Sequence, residues 1–156
     1  VVRMASYAPL LANQQHTSWN PNLIYFTNTR ILPTANYYVQ QLFSSNQGDL
    51  YYDDLVSFAQ KDSVLAASCV KDTRTGDLII KIVNAGPSKT VADIQLGSLL
   101  AKNASAEVQV LSGEPGMKNT WEHPETIVPK MAAIQPGRKM QYDVIPYSLT
   151  VIRVKK

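Results

Sequence analysis

The 156-residue sequence has little from which to build a metal centre or a disulfide framework. Cys69 is its one cysteine, and His16 and His123 are its two histidines. A cross-linked secreted scaffold and a cysteine-rich zinc site are therefore excluded. No apolar run approaches the ~20 residues that a bilayer-crossing helix needs, which excludes a helical span. Charge is also sparse. With 15 basic and 12 acidic residues, the net charge of +3 is too small and too scattered to form a concentrated basic face. Neither nucleic acid nor a membrane is an expected partner. The chain lacks a Gly-x-Ser-x-Gly elbow, a phosphate-binding loop and a dinucleotide glycine fingerprint, and it has no repeat of solenoid or propeller period.

What remains is enough apolar residue, 45% of the chain, to bury a core in one domain or in a small domain with an appendage. The opening Val1-Val2-Arg3-Met4 has neither an initiator methionine nor a basic-then-apolar leader. It reads as though cut from a longer protein, and compartment is not legible from it.

Charge and composition divide the chain in two. Residues 1–60 hold two basic and three acidic residues, a net of −1, and are rich in Tyr, Asn, Gln and Leu. Residues 61–156 hold 13 basic and 9 acidic residues, a net of +4, and are rich in Val, Ile and Lys. In the first part, Val1 to Ala8 suits the end of a helix interrupted by Pro9. Leu23 to Phe26 is a short apolar run that suits a fully buried strand. Thr34 suits the N-cap of a helix running to about Ser45, with Tyr38, Val39, Leu42 and Phe43 on one face and Gly48 as its stop. A strand followed by a helix makes one β/α unit, and one such unit cannot cover both faces of its strand.

The second part alternates at period two. Leu78, Ile80 and Ile82 share a face, as do Ala92, Ile94 and Leu96, then Ala106, Val108 and Val110, then Met140, Tyr142 and Val144. Leu149 to Val154 is β-branched. Turn residues punctuate these runs at Thr75-Gly76, Ala85-Gly86-Pro87, Gly113 to Gly116 and Gln135-Pro136-Gly137. The pattern predicts an antiparallel β-sandwich, jelly-roll-like, preceded by the β/α unit.

Candidate chemistry is thin. Glycoside cleavage needs two carboxylates facing each other, and the chain has four glutamates: Glu107, Glu114, Glu122 and Glu125. Glu122 and Glu125 flank His123-Pro124, which reads either as an acid/base cluster or as a solvated loop, with the loop favoured. Cys69 lies in the apolar run Val64 to Val70, where a cysteine is usually a small buried hydrophobe. Asn103-Ala104-Ser105 matches a glycosylation sequon, relevant only in a secreted eukaryotic protein. Trp19 and Trp121 offer apolar ring faces that could stack on sugars or pack between domains.

Several blocks together carry a family resemblance. Met4-Ala5-Ser6-Tyr7-Ala8-Pro9-Leu10 and Trp19-Asn20-Pro21-Asn22-Leu23-Ile24-Tyr25-Phe26-Thr27-Asn28 are similar to α-L-arabinofuranosidases of glycoside hydrolase family 51. So are Tyr37 to Ser44, Asn119-Thr120-Trp121-Glu122 with Val128-Pro129-Lys130, and Ile145 to Ile152. The resemblance implies a (β/α)₈ barrel followed by a jelly-roll sandwich. Residues 1–48 would be the final β/α segment of the barrel, with Leu23 to Phe26 in its last strand, and residues 49–156 the C-terminal sandwich. It further implies a retaining, exo-acting enzyme that releases terminal arabinofuranosyl groups from plant polysaccharides, in an extracellular or periplasmic setting. Both catalytic glutamates would lie in the preceding barrel, the partner this chain lacks, so no catalytic residue is assigned here and no metal or cofactor is implied. As substrate-binding residues Asn28 ranks first, at the C-terminal end of the strand, and Trp19 second. The competing view of Asn28 is a turn-forming asparagine bonded to its own backbone. The rival function is a non-catalytic carbohydrate-binding sandwich module.

Overall fold

Alternating apolar residues give the second part of the chain its layers. The computed structural model describes residues 6–59 and 62–156. It contains β1 (Leu11–Asn13), β2 (Ile24–Phe26), β3 (Ile31–Pro33), α1 (Ala35–Ser45), β4 (Leu50–Tyr52), β5 (Val56–Phe58), β6 (Leu65–Lys71), β7 (Leu78–Asn84), β8 (Thr90–Gln95), β9 (Ser105–Ser112), β10 (Lys130–Ile134), β11 (Lys139–Val144) and β12 (Ser148–Lys155). A six-stranded sheet runs β10-β9-β12-β7-β6-β4, and a three-stranded sheet runs β11-β8-β5. Every pairing within these two sheets is antiparallel.

The two sheets close over one core. Leu78, Ile80 and Ile82 from β7, Ala106 and Val108 from β9, and Ile152 and Val154 from β12 meet Ala92, Ile94 and Val144 from the opposite sheet. These are the period-two faces legible in the sequence. Burying each Ile or Val contributes roughly 1.5–3 kcal/mol of hydrophobic stabilisation. The mainly β sandwich expected from the alternation is thus observed.

The same large sheet is covered on its outer side by α1. Leu42 of the helix packs with Ile79, Leu111, Leu149, Val151 and Ile127, so β7 is buried on both faces. Lys81 points to this outer side, where its Nζ donates to the Asn46 carbonyl at 2.6 Å and lies 5.5 Å from the Phe43 ring. Asn46 is the C-cap of α1, and a cation there complements the helix dipole. Burial pushes the Lys81 ammonium below its ordinary pKa.

Several local expectations need revision. The helix end expected over Val1–Ala8 falls, for residues 1–5, outside the described residues, and Ser6 to Ala8 form no helix. Thr34 does precede α1, but its hydroxyl donates to the Leu23 carbonyl at 2.8 Å instead of capping the helix. Phe43 is exposed rather than packed with the apolar face. Gly48 is not the helix stop, because the cap comes two residues earlier. A Cβ at Gly48 would lie 2.7 Å from the Lys71 carbonyl oxygen, so glycine is required by close passage against β6.

The first part departs most from expectation. β2 pairs with β1 in parallel and with β3 antiparallel, making a small three-stranded sheet. Leu23 is buried, but Ile24, Tyr25 and Phe26 are only half-buried, so the strand is not fully buried. β3 also intervenes between strand and helix. The chain therefore returns along β2 before α1 starts, and Thr34 donates its backbone N–H to Leu23 at 3.1 Å.

Candidate functional site

The small sheet presents two polar ends. At its foot, beside the start of α1, lie Trp19, Asn20, Asn22 and Tyr7. Trp19 is 63% exposed. Asn22 is almost wholly buried; its amide donates to the Trp19 carbonyl at 2.5 Å and its backbone N–H to the Tyr25 hydroxyl at 3.1 Å. That hydroxyl donates to Asn20 Oδ1 at 2.6 Å. Asn22 Oδ1 has no partner among the described residues. A buried carbonyl left without a donor is costly, and buried polar groups of this kind are usually satisfied by another protein group or an ordered water. Asn36, in the first turn of α1, donates to the Tyr7 hydroxyl at 2.8 Å, fixing the helix start at this end.

At the tip, Thr27 to Arg30 form a tight turn. The Thr27 N–H donates to the Arg30 carbonyl at 2.8 Å, and the Thr27 hydroxyl accepts from the Arg30 N–H at 3.1 Å. The turn is thus tied by Thr27, and among the described residues the Asn28 amide makes no hydrogen bond to its own backbone. Asn28 is exposed and, with Asn13, Gln15, Thr27 and Thr29, lines a polar cavity of about 190 Å³.

The loop between β9 and β10 reaches this hairpin from the sandwich. Buried Asn119 donates to Ile127 at 3.0 Å and to the Pro33 carbonyl at 3.1 Å, and accepts from the Ile127 N–H at 2.7 Å. Two residues on, the Arg30 guanidinium donates to the Trp121 carbonyl and lies 5.2 Å from the centre of its ring. No periodic signal marks these contacts, because partners 86 and 91 residues apart leave no local pattern.

The carboxylates do not assemble a hydrolytic pair. Glu122 is exposed, and its own backbone N–H followed by the Thr120 side chain holds its carboxyl below the usual range. A carboxylate so held stays ionised and is a poor proton donor. Glu125 and His123 are exposed in the same loop. Glu107 pairs with Lys155 at 2.6 Å on the sheet surface, and Glu114 is exposed in its turn. Cys69 is buried in the sandwich core, and burial pushes its thiol up to about 11, so it is no nucleophile near neutral pH. Among the described residues no three His, Cys, Asp or Glu side chains are grouped as a metal ion would need. A larger polar cleft of about 400 Å³ lies between the end of α1 and the β6–β7 turn. Its charges are engaged internally, with Arg153 donating to Asp77 at 2.7 Å and Asp49 accepting from the Thr73 N–H at 2.8 Å.

Comparison with known proteins gives these features their setting. Residues 1–148 match the family described as the alpha-L-arabinofuranosidase C-terminal domain. Alpha-L-arabinofuranosidase 2 of Arabidopsis thaliana is 29% identical over 168 residues, covering 99% of this chain and 25% of the relative. An extracellular exo-alpha-L-arabinofuranosidase of Streptomyces chartreusis is 53% identical over 49 residues, 31% of this chain and 6% of its own length. An arabinose-bound GH51 α-L-arabinofuranosidase structure superposes with a TM-score of 0.84 at 32% identity, over 96% of this chain and 24% of that one. The Thermotoga maritima α-L-arabinofuranosidase, at 15% identity and a TM-score of 0.71, shares the fold. The chain thus spans about a quarter of the Arabidopsis relative and of the arabinose-bound structure. A match that runs unbroken through small sheet, helix and sandwich identifies the chain as a member of the alpha-L-arabinofuranosidase C-terminal domain family.

Proposed function

We propose that this chain is the C-terminal part of a retaining, exo-acting α-L-arabinofuranosidase that releases terminal arabinofuranosyl groups from plant polysaccharides. The observation that carries the reading is the family match over residues 1–148, which includes the small sheet and α1 as well as the sandwich. A free-standing carbohydrate-binding module would need only the sandwich. In this reading residues 1–48 belong with the catalytic barrel and residues 49–156 form the accessory sandwich. The nucleophile and acid/base carboxylates come from the part of the parent that precedes this chain. The exposed, ionised Glu122 and the scattered remaining glutamates support that division of labour.

The small sheet then contributes to substrate contact through Trp19 and Asn28. In a β/α barrel each helix begins at the substrate-facing ends of the strands. The start of α1 beside Leu23 supports putting the foot of the hairpin, with Trp19 and the unpartnered Asn22 Oδ1, on that side. The hairpin rises from there, and Asn28 at its tip offers a free amide to sugar hydroxyls. On that ground we rank Trp19 ahead of Asn28 as a substrate contact.

The test uses the full-length enzyme with an aryl α-L-arabinofuranoside. Trp19→Ala should lower kcat/KM by about 1–3 kcal/mol of lost contact, and Asn28→Ala by roughly 1 kcal/mol, with folding unchanged. Unchanged kinetics in both would remove the hairpin from the substrate site. The isolated chain should turn over nothing. Measurable turnover by it, abolished by Glu122→Gln or Glu125→Gln, would overturn the division of labour.

A further inference from the structure

The loop between β9 and β10 belongs in sequence to the sandwich, yet it follows the free edge of β3 from foot to tip. Asn119 grips Pro33 at the foot, and Arg30 grips Trp121 at the tip. Residues 122–126 are all exposed, so Trp121 is a large aromatic side chain at the head of a solvated stretch. It is only half-buried, and Arg30 occupies part of its surroundings at 5.2 Å from the ring centre. Its chain neighbours are polar: the Glu122 carboxylate, which the Thr120 side chain and the Arg30 charge both stabilise, and Thr120 itself.

That combination has a chemical reading. An aromatic face offers an apolar platform to the C–H face of a sugar ring, while carboxylate, guanidinium and hydroxyl groups near it satisfy ring hydroxyls. A peptide or lipid partner would be better served by a continuous apolar surface than by one ring set among hydrogen-bonding groups. We infer that Trp121, held on the hairpin tip by Arg30, stacks on a sugar of the neutral polysaccharide main chain that carries the arabinofuranosyl branch. The sandwich thereby selects polymeric over small substrates. The inference rests on the proposal that the β2–β3 hairpin flanks the substrate cleft.

The experiment measures full-length enzyme on arabinan or arabinoxylan and, in parallel, on an aryl α-L-arabinofuranoside. Trp121→Leu keeps an apolar side chain against Arg30 but removes the ring. It should lower kcat/KM on the polymer about tenfold, through KM, and leave the aryl substrate within about twofold. Trp121→Phe should restore most of the polymer activity. Equal losses on both substrates would make Trp121 a packing residue, and no loss on the polymer would leave it without a sugar; either result overturns the inference alone. Wild-type enzyme inactive on the aryl substrate would overturn the proposed function, and this inference with it.

Discussion

β2 and β7 each occupy the middle of a sheet, with a hydrogen-bonded strand on either side. In β7, Val83 is the single residue not counted as buried, whereas β2 has no fully buried residue. The difference lies in what covers their faces. β7 has the second sheet on one face and α1 on the other. On the small sheet, Leu11, Ile24, Phe26 and Ile31 share a face by register, and Leu11 and Ile31 are 57% and 70% exposed. Ladder position thus does not make a core; a layer over each face does.

The largest expected consequence concerns cavities. Ile80→Ala should destabilise the chain by about 2–5 kcal/mol in chemical denaturation, because its surroundings are fixed on all sides. Leu32→Ala in β3, a buried residue outside both packed clusters, should cost at most the lower end of that range. Equal losses would break the comparison. Hydrogen exchange should separate the regions next. Amides of β1 to β3 should exchange on the order of 100-fold faster than those of β7 and β12, through local opening. Equal protection in a monomer would show that residues 6–33 need no further cover.

Ionisation supplies a smaller effect on the sandwich side. Burial lowers the Lys81 pKa, so the folded chain releases that proton before the unfolded chain does. Between the lowered pKa and about 10.4 the unfolded state binds more protons, and stability rises with pH. Cys69 acts oppositely, since its raised thiol ionises first in the unfolded chain and stability falls as pH rises towards 11. In a Cys69→Ala background, Lys81→Met should therefore lower the alkaline slope of stability against pH in urea titrations; a slope unaffected by the substitution would remove Lys81 as a contributor. The smallest change belongs to Arg30→Ala. Loosening the hairpin from Trp121 should cost roughly 0.5–1.5 kcal/mol, read as faster exchange in β3 with β7 unaltered.

The sandwich was legible because one packed face forces period two over six to eight residues, as at Met140, Tyr142 and Val144, with exposed Lys139, Gln141 and Asp143 between them. β1, β3, β4 and β5 have three residues each, too few to show a period. α1 was legible from its spacing, but its seat on Ile79 and Leu111 was not, because helical periodicity records an apolar face without its partner. Trp19 and Asn28 stood out by residue type. Asn22 did not, since an asparagine beside proline in a turn-like run carries no mark of burial. Likewise the Arg30–Trp121 contact joins residues that only the folded chain brings together.

The order of strands in the large sheet carries one more consequence, for how the chain is made. β12 follows every other strand in sequence, yet it lies between β7 and β9 and pairs with both along most of its length. As the chain leaves the ribosome, β10 and β9 can zip together, and β4, β6 and β7 can do the same, but the two halves have no seam until Ser148 to Lys155 emerge. Helix α1 waits longer than the strands that follow it, because Leu149 and Val151 of its floor come only with β12. Non-local pairing of this kind folds slowly and leaves strand edges open in the interval. A nascent chain stalled before residue 148 should therefore be prone to aggregation and proteolysis out of proportion to the 8 residues of β12.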